Sequence, residues 1–191
     1  MSTGLHQAAI ETDATLLLLG WPGAGDLRSR LMGATYGEII AAASVPVAIA
    51  ALHPGTGRGR VVLHCAAREL APGYLPTMAL ALEIASTVCR QREHELIIGP
   101  ISPAELVANG LSVPPTAVHV EGEEDLEAFV AAVTSPGDLV VLPIHDTSLG
   151  PAAIRVHRSG RSVLAVSQNP ETSSASVVSP MNLPVGRNLG A

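Results

Sequence analysis

The segment "TLLLLGWPGAGDLRSRLMGATYGEII", residues 15–40, joins an apolar run to spaced glycines and then to a helix-like run. Gly20, Gly23 and Gly33 follow the pattern G-x2-G-x9-G, which predicts a tight turn between a strand and a helix. Backbone N–H groups converge at such a turn and can bind phosphate oxygens. Glycines also end strands and begin helices in α/β proteins that bind no phosphate, so the pattern alone leaves both interpretations open.

The rest of the chain repeats this alternation of strands and helices. Short apolar runs predict strands over 15–21, 45–52, 60–66, 94–100, 116–121, 138–144 and 162–168. Each run is almost continuously apolar, as expected for strands that are covered on both faces. Segments with helical spacing lie between them, over 5–12, 30–44, 75–90 and 124–133. The alternation predicts an α/β fold with a mostly parallel, doubly wound, Rossmann-like sheet.

Composition and charge exclude several classes of protein. The net charge is −6 and the sequence has no basic cluster, so we expect no nucleic-acid partner. The longest apolar stretch, 39–52, is shorter than the roughly 18 residues that a bilayer requires, so we expect no membrane insertion. The N-terminus lacks a basic region followed by an apolar one, and Cys65 and Cys89 form no CxxC motif. These features predict a cytoplasmic protein.

A resemblance to a known family adds to this interpretation. The glycine turn is followed by "ASVPVAIAAL", and the whole segment resembles the last third of a universal stress protein (UspA-type) domain. In that family the G-x2-G-x9-G-(S/T) signature contacts the phosphates of ATP, and a Pro-Val pair begins the fifth strand. Ala34 departs from the Ser or Thr of the signature, and Thr35 lies beside it. The resemblance implies a weak site for ATP or another adenine nucleotide at Gly20, Gly23, Gly33, Ala34 and Thr35.

Residues 58–168 resemble the same fold a second time, now with all of its strands. At the end of the first strand, family members use an acidic residue near the adenosine, and this sequence has Ala66 there. The glycine signature is also missing, because the aligned positions hold Pro143 and Asp146. Pro143 has no backbone N–H to donate to a phosphate. The resemblance therefore implies an adenine nucleotide alpha hydrolase-like fold whose second copy does not hold ATP in the family's way.

The connector "HPGTGRGR", residues 53–60, divides the two resemblances. We predict a partial unit over 1–57, a complete unit over 58–168 and a Ser- and Pro-rich tail over 169–191. Two strands cannot form a stable sheet alone, so those of the partial unit must join the sheet of the complete unit or another chain. We expect one continuous sheet, within a homodimer.

The histidines suggest other chemistry. His94 lacks the second histidine of an HExxH motif, and no two histidines lie three or four residues apart on a predicted helix, so we expect no metal site. His145, Asp146 and Ser148 follow a predicted strand, where α/β proteins place ligands. The nucleophile motif G-x-S-x-G is absent, and we assign no catalytic residue. A small hydrolase that uses His145 and Asp146 is a remaining alternative.

"GWPG" stands where many universal stress proteins have "GTHG", and it is similar to the variants attached to membrane transporters. The resemblance implies a non-enzymatic regulatory or assembly module that requires no cofactor. It would be the cytoplasmic domain of a cation/proton antiporter, with the transporter domain of the same polypeptide as its partner, at the cytoplasmic face of the inner membrane. The alternative is a free-standing universal stress protein that binds ATP and hydrolyses it slowly.

Overall fold

The computed structural model describes residues 2–21, 36–54, 59–145 and 151–168. Within these ranges seven strands form one sheet with the order β1-β2-β7-β6-β3-β4-β5. The strands are β1 (Leu17–Gly20), β2 (Val47–Ala51), β3 (Val61–Cys65), β4 (Leu96–Pro100), β5 (Val118–His119), β6 (Leu139–Pro143) and β7 (Ser162–Ser167). Every predicted apolar run contains one of these strands, which confirms the predicted α/β fold class.

The helices lie on both faces of this sheet. They are α1 (Ser2–Glu11), a helical segment α2 over 36–42, α3 (Leu75–Arg92), α4 (Pro103–Ala108), α5 (Leu126–Val133) and α6 (Pro151–Arg158), with a 3-10 helix over Ala67–Leu70. The sequence analysis did not predict α4, because six residues are too few to show a helical period. Its signal is a capping box, in which Ser102 Oγ accepts the Glu105 N–H and the Glu105 carboxylate accepts the Ser102 N–H.

One pairing in the sheet departs from parallel geometry. Strand β2 runs antiparallel to β7, with Ile49 opposite Ala165, whereas the other pairs of strands are parallel. The strands of the predicted partial unit therefore join the sheet of the predicted complete unit, as expected. The bounds of the predicted units stay a prediction, because 55–58 in the connector and the tail from 169 onward lie outside the described residues.

The described residues form two apolar cores, on opposite faces of the sheet. On one face α2, α5 and α6 contribute Ile40, Phe129 and Val156. On the other face α3 and α4 contribute Met78 and Leu106, among others. α3 packs on β3, β6 and β7. Among the described residues no helix is both long enough and apolar enough to cross a membrane.

Candidate functional site

The predicted phosphate turn begins at the end of β1. Gly20 pairs with Ala50, and its carbonyl oxygen accepts a hydrogen bond from the Tyr36 hydroxyl at 2.5 Å. A Cβ built on Gly20 would meet none of the described atoms within 4 Å, so space does not require glycine here. The other four predicted site residues, Gly23, Gly33, Ala34 and Thr35, lie outside the described residues. The nucleotide site at this turn therefore stays a prediction.

A second candidate site lies between β3 and β6. The chain order of the strands reverses there, since β4 and β5 follow on one side of this pair and β7 follows on the other. In open α/β sheets ligands bind at such a point, outside the carboxyl ends of the strands. Glu69 and Tyr74 follow β3, and His145 follows β6. We call these three side chains the crevice cluster.

Glu69 is the buried acid of the crevice cluster. The residue is 1% exposed, and its Oε2 accepts the backbone N–H of Ala66 at 2.5 Å. Its Oε1 accepts a hydrogen bond from Arg68 Nε at 3.1 Å. Burial raises the pKa of the Glu69 carboxyl, against the opposing effect of these two hydrogen bonds. The short 3-10 turn thus holds an acidic group inside the protein, at the carboxyl end of β3.

His145 and Tyr74 lie beside this carboxyl group. His145 Nε2 is 4.0 Å from Glu69 Oε1, and the His145 side chain is 14% exposed. The Tyr74 ring stacks on the His145 ring with 4.2 Å between centroids and 27° between planes. The structure therefore brings His145 to Glu69, a carboxylate that the sequence analysis missed. Asp146 and Ser148, the other residues of the hydrolase alternative, lie outside the described residues.

Among the described residues, the crevice offers few groups that could bind a phosphate. Ala66 stands where the family's acidic residue would lie, and its N–H already donates to Glu69. Pro143, at the end of β6, has no N–H. When it is ionised, the buried Glu69 carboxyl group disfavours a second negative charge beside it. Ala66 has no side-chain oxygen to accept a hydrogen bond, so the spacing of Ala66 and Glu69 gives only the acidic half of a capping box, and the sequence carries no clear signal for this arrangement.

Two further histidines, His64 and His119, lie in strands β3 and β5. His64 Nε2–H donates to the Glu124 carbonyl oxygen at 3.2 Å, and its ring meets Phe129 edge-on. Desolvation lowers the pKa of His64 to about 4. His119 Nε2–H donates to the Pro100 carbonyl oxygen at 3.1 Å. Within the described ranges no group of three His, Cys, Asp or Glu side chains is placed to hold a metal ion.

A further histidine pair joins the two predicted units. His53 Nε2–H donates to the His157 carbonyl oxygen at 2.9 Å, and the two rings lie 4.2 Å apart. The Ser162 hydroxyl accepts the His53 backbone N–H at 2.9 Å. Trp21, which follows β1, packs on His157 with 5.1 Å between ring centroids. These contacts of Trp21 and His53 connect the ends of β1 and β2 to α6 and β7.

Comparison with known proteins identifies this fold. No protein-family model matches the sequence, and no curated protein matches it. Nine chains of solved structures do match, among them a universal stress protein from Archaeoglobus fulgidus DSM 4304 with a TM-score of 0.53. The chain has a universal stress protein fold. The two sequences are 16% identical. At this level of identity, the similarity between the two structures shows a shared UspA-like fold and does not establish a shared function. The match covers 89% of this chain and 66% of the archaeal chain.

Proposed function

We propose that this UspA-like chain is a non-enzymatic regulatory or assembly module, and that it forms the cytoplasmic domain of a cation/proton antiporter. The observation that carries the non-enzymatic part is the buried Glu69 carboxyl group in the crevice between β3 and β6. The Glu69 carboxyl group accepts the hydrogen bond of the Ala66 N–H, so this donor is not available to a phosphate. It also places an acid where a nucleotide would bring its own negative charge. Any nucleotide then binds weakly, at the glycine turn that begins at Gly20.

The sheet supports the assembly part. β2 already pairs with β7, so the predicted partial unit depends on the rest of the chain for its hydrogen bonds. Strand β1 forms the outer edge of the sheet and pairs with β2 on one side. An open edge strand can form backbone hydrogen bonds with a strand of another protein segment, which suits a module that holds subunits together. The transporter attachment is supported by the resemblance of "GWPG" to transporter-linked variants.

Titration with ATP tests the proposal. The sequence contains a single tryptophan, Trp21, which directly follows Gly20 and therefore reports on the predicted turn. We expect calorimetry of the full chain with Mg-ATP to give a millimolar Kd or no heat, and no release of phosphate. Weak binding at the turn changes Trp21 fluorescence. Micromolar affinity or steady hydrolysis would overturn the proposal and favour the free-standing, ATP-binding universal stress protein.

A matched variant separates the two candidate nucleotide sites. Glu69→Gln removes the acid from the crevice and leaves the glycine turn untouched. If weak ATP binding occurs at the turn, its Kd and its effect on Trp21 fluorescence are the same in Glu69→Gln and in the wild type. An increase in affinity of more than about tenfold, equivalent to about 1.4 kcal/mol, without a larger change in Trp21 fluorescence would show that the Glu69 acid is what keeps a nucleotide out of the crevice.

The transporter attachment needs its own test. The reading frame upstream of Met1 is sequenced in the source genome and examined for apolar segments of about 20 residues, the length of a membrane-spanning helix. We expect several such segments in the same frame. A stop codon directly upstream would remove the antiporter part of the proposal and leave the regulatory or assembly role to be judged by the ATP titration.

A further inference from the structure

Two histidine rings meet where the end of β2 lies against α6. His53 follows β2, His157 lies in the last turn of α6, and the centroids of the two rings are 4.2 Å apart. His157 is 8% exposed, and the buried Trp21 packs on its ring. Histidine is the side chain that normally gains a proton between about pH 5 and pH 8. The fold therefore brings two such groups into contact at a mostly buried junction.

The hydrogen bonds of the two rings fix where an added proton goes. A carbonyl oxygen only accepts, so the ring nitrogen beside it carries a proton. His53 Nε2–H donates to the His157 carbonyl oxygen at 2.9 Å, which makes Nδ1 the basic nitrogen of the neutral His53 ring. His157 Nδ1–H donates to the Arg161 carbonyl oxygen at 3.2 Å, which makes Nε2 the basic nitrogen of His157. Protonation at both positions gives two adjacent positive charges, which repel each other.

The charged side chains of the neighbouring elements do not offset this repulsion. Arg158 follows His157 at the end of α6, and Arg161 lies just before β7, so both neighbours in the chain are positive. Helix α5 packs on α6 and carries Glu127, whose carboxylate pairs with Arg155. Among the described residues no carboxylate forms an ion pair with His157. A charge gained by His157 is therefore not neutralised by these side chains.

The environment of His157 favours its neutral form. Burial lowers the pKa of His157 and the charge of His53 lowers it further, against the opposing effect of the hydrogen bond to the Arg161 carbonyl oxygen. On the α2 side, the Tyr36 hydroxyl bonds the residue before Trp21, and burial raises the pKa of this hydroxyl. Among the described residues beside Trp21, the two histidines are thus the ones that change charge between about pH 5 and pH 7.

The contacts of the pair are confined to the ends of the strands. The Ser162 hydroxyl accepts the His53 N–H at 2.9 Å. Two residues earlier, Ala51 lies opposite Val163 at the end of the pairing of β2 with β7. That pairing uses backbone groups and does not involve either imidazole. Separation of the two rings therefore releases His53 and exposes Trp21 without breaking the sheet.

We propose that the His53–His157 pair is a proton-operated switch, which holds the ends of β1 and β2 on α6 while both rings are neutral and releases them when both are protonated. The inference goes beyond the proposed function, because it assigns the chain a signal, the proton. It also holds whether or not a transporter is attached. The element that moves is the junction at which the two predicted units meet beside α6.

Trp21 fluorescence of the full chain tests the switch, because the sequence contains no other tryptophan. We expect the emission maximum to move reversibly to longer wavelength between about pH 8 and about pH 4.5, with a midpoint below the value of about 6.5 for an imidazole in water. The far-UV circular dichroism stays constant over this range, because the sheet remains paired. The same emission maximum at both ends of the range would overturn the inference.

Matched variants assign the change to the pair. His157→Gln removes one ring and keeps an N–H for the Arg161 carbonyl oxygen, and we expect it to abolish the pH-dependent shift in emission. His119→Gln removes a histidine from β5, at the far edge of the sheet, and leaves the shift unchanged. Circular dichroism at about pH 8 checks that each variant is folded, in the range where histidine is neutral. A wild-type shift in folded His157→Gln would refute the switch.

A second variant measures the repulsion itself. His53→Gln changes a half-buried side chain and keeps a donor for the His157 carbonyl oxygen, so it does not depend on the folding of His157→Gln. Because the charge of His53 lowers the pKa of His157, we expect the midpoint of the His157 ring signals in nuclear magnetic resonance to rise in this variant. An unchanged midpoint would show that the two rings do not act as a pair, and would overturn the inference.

Hydrogen exchange distinguishes local release from general unfolding in acid. We expect the His53 amide, which donates to Ser162, to exchange at least about tenfold faster at about pH 5 than at about pH 8, each rate taken relative to that of an unstructured chain at the same pH. The amides of Val47–Ala51 keep their protection. Equal loss of protection at His53 and in Val47–Ala51 would show unfolding of the whole sheet and would contradict the switch.

Discussion

Ile49 lies directly opposite Ala165 in the antiparallel pairing of β2 with β7, and both side chains are buried. The contact lies where the strands of the predicted partial unit enter the sheet of the predicted complete unit. Ile49 and Ala165 also belong to the same apolar core. The two predicted units therefore share a hydrogen-bond ladder and a core, and we expect them to unfold together.

Ile49→Ala tests this coupling. Ile49 is 1% exposed, so the truncation leaves a cavity and lowers the free energy of unfolding by about 2–5 kcal/mol. Urea unfolding followed by Trp21 fluorescence and by far-UV circular dichroism should give one coincident transition in the variant and the wild type. Leu18→Ala, at an exposed position, serves as the control and should change the monomer's stability by less than about 0.5 kcal/mol. Separate transitions for the two signals would contradict the shared sheet.

Asp138→Asn tests the link between the connector and the loop before β6. The Asp138 carboxylate accepts hydrogen bonds from the Arg60 N–H and guanidinium, at 2.8 and 2.9 Å, and from the Ser135 N–H at 2.8 Å. Because Asp138 is buried and charged, its loss should cost about 2–4 kcal/mol in urea unfolding. Glu127→Gln breaks the exposed Glu127–Arg155 pair and should cost less than about 1 kcal/mol. Equal costs would contradict the prediction.

The Asp138 carboxylate also makes the free energy of unfolding depend on pH in the acidic range. Burial of Asp138 opposes its ionisation, but the hydrogen bonds from Ser135 and Arg60 outweigh this effect and lower its pKa. The folded state therefore holds the ionised form more strongly than the unfolded state. This contribution is present above the unfolded pKa of about 3.9 and is lost as the pH falls through the lower folded value. Asp138→Asn should flatten the stability profile in that acidic range.

His64 makes the free energy of unfolding depend on pH in a second, higher range. Desolvation lowers its pKa to about 4 in the folded protein, below the value of about 6.5 in an unfolded chain. Between these two values the unfolded chain binds a proton that the folded chain does not, so stability falls as the pH drops from about 6.5 to about 4. The full effect is roughly 3 kcal/mol. Urea unfolding at several pH values should show this slope in the wild type and a smaller slope in His64→Gln.

The two cysteines should react slowly in the folded protein. Burial raises the pKa of the Cys65 thiol to about 12 and that of the Cys89 thiol to about 11, so few thiolates exist at pH 8. Cys65 is fully buried and Cys89 is 8% exposed. We expect a colorimetric thiol reagent to label Cys89 first and Cys65 only after unfolding. In urea both should react at once, and rapid labelling of Cys65 in the native state would contradict its placement in β3.

Local patterns were sufficient for most of the fold. Every predicted strand run contains an observed strand, because a strand buried on both faces needs a continuous apolar run. The shortest elements were the difficult ones: α4 was missed, and β5 covers only two residues of the predicted 116–121. Glu69 and Tyr74 of the crevice cluster were also missed, whereas His145 was singled out as a residue that follows a strand. The acid of the cluster, Glu69, follows an alanine that is not a typical cap, and its partner His145 comes from a distant part of the chain.

By itself the sequence determined the strands, their order along the chain and the α/β class, since apolar periodicity and breaking residues act over a few neighbouring positions. Only the tertiary structure decided that β2 runs antiparallel to β7, that Glu69 is buried next to His145 and that β1 is left at the edge. Strand partners and buried polar contacts depend on which distant segments come together. That choice is made by the packing of the whole core, and no short stretch of residues contains it.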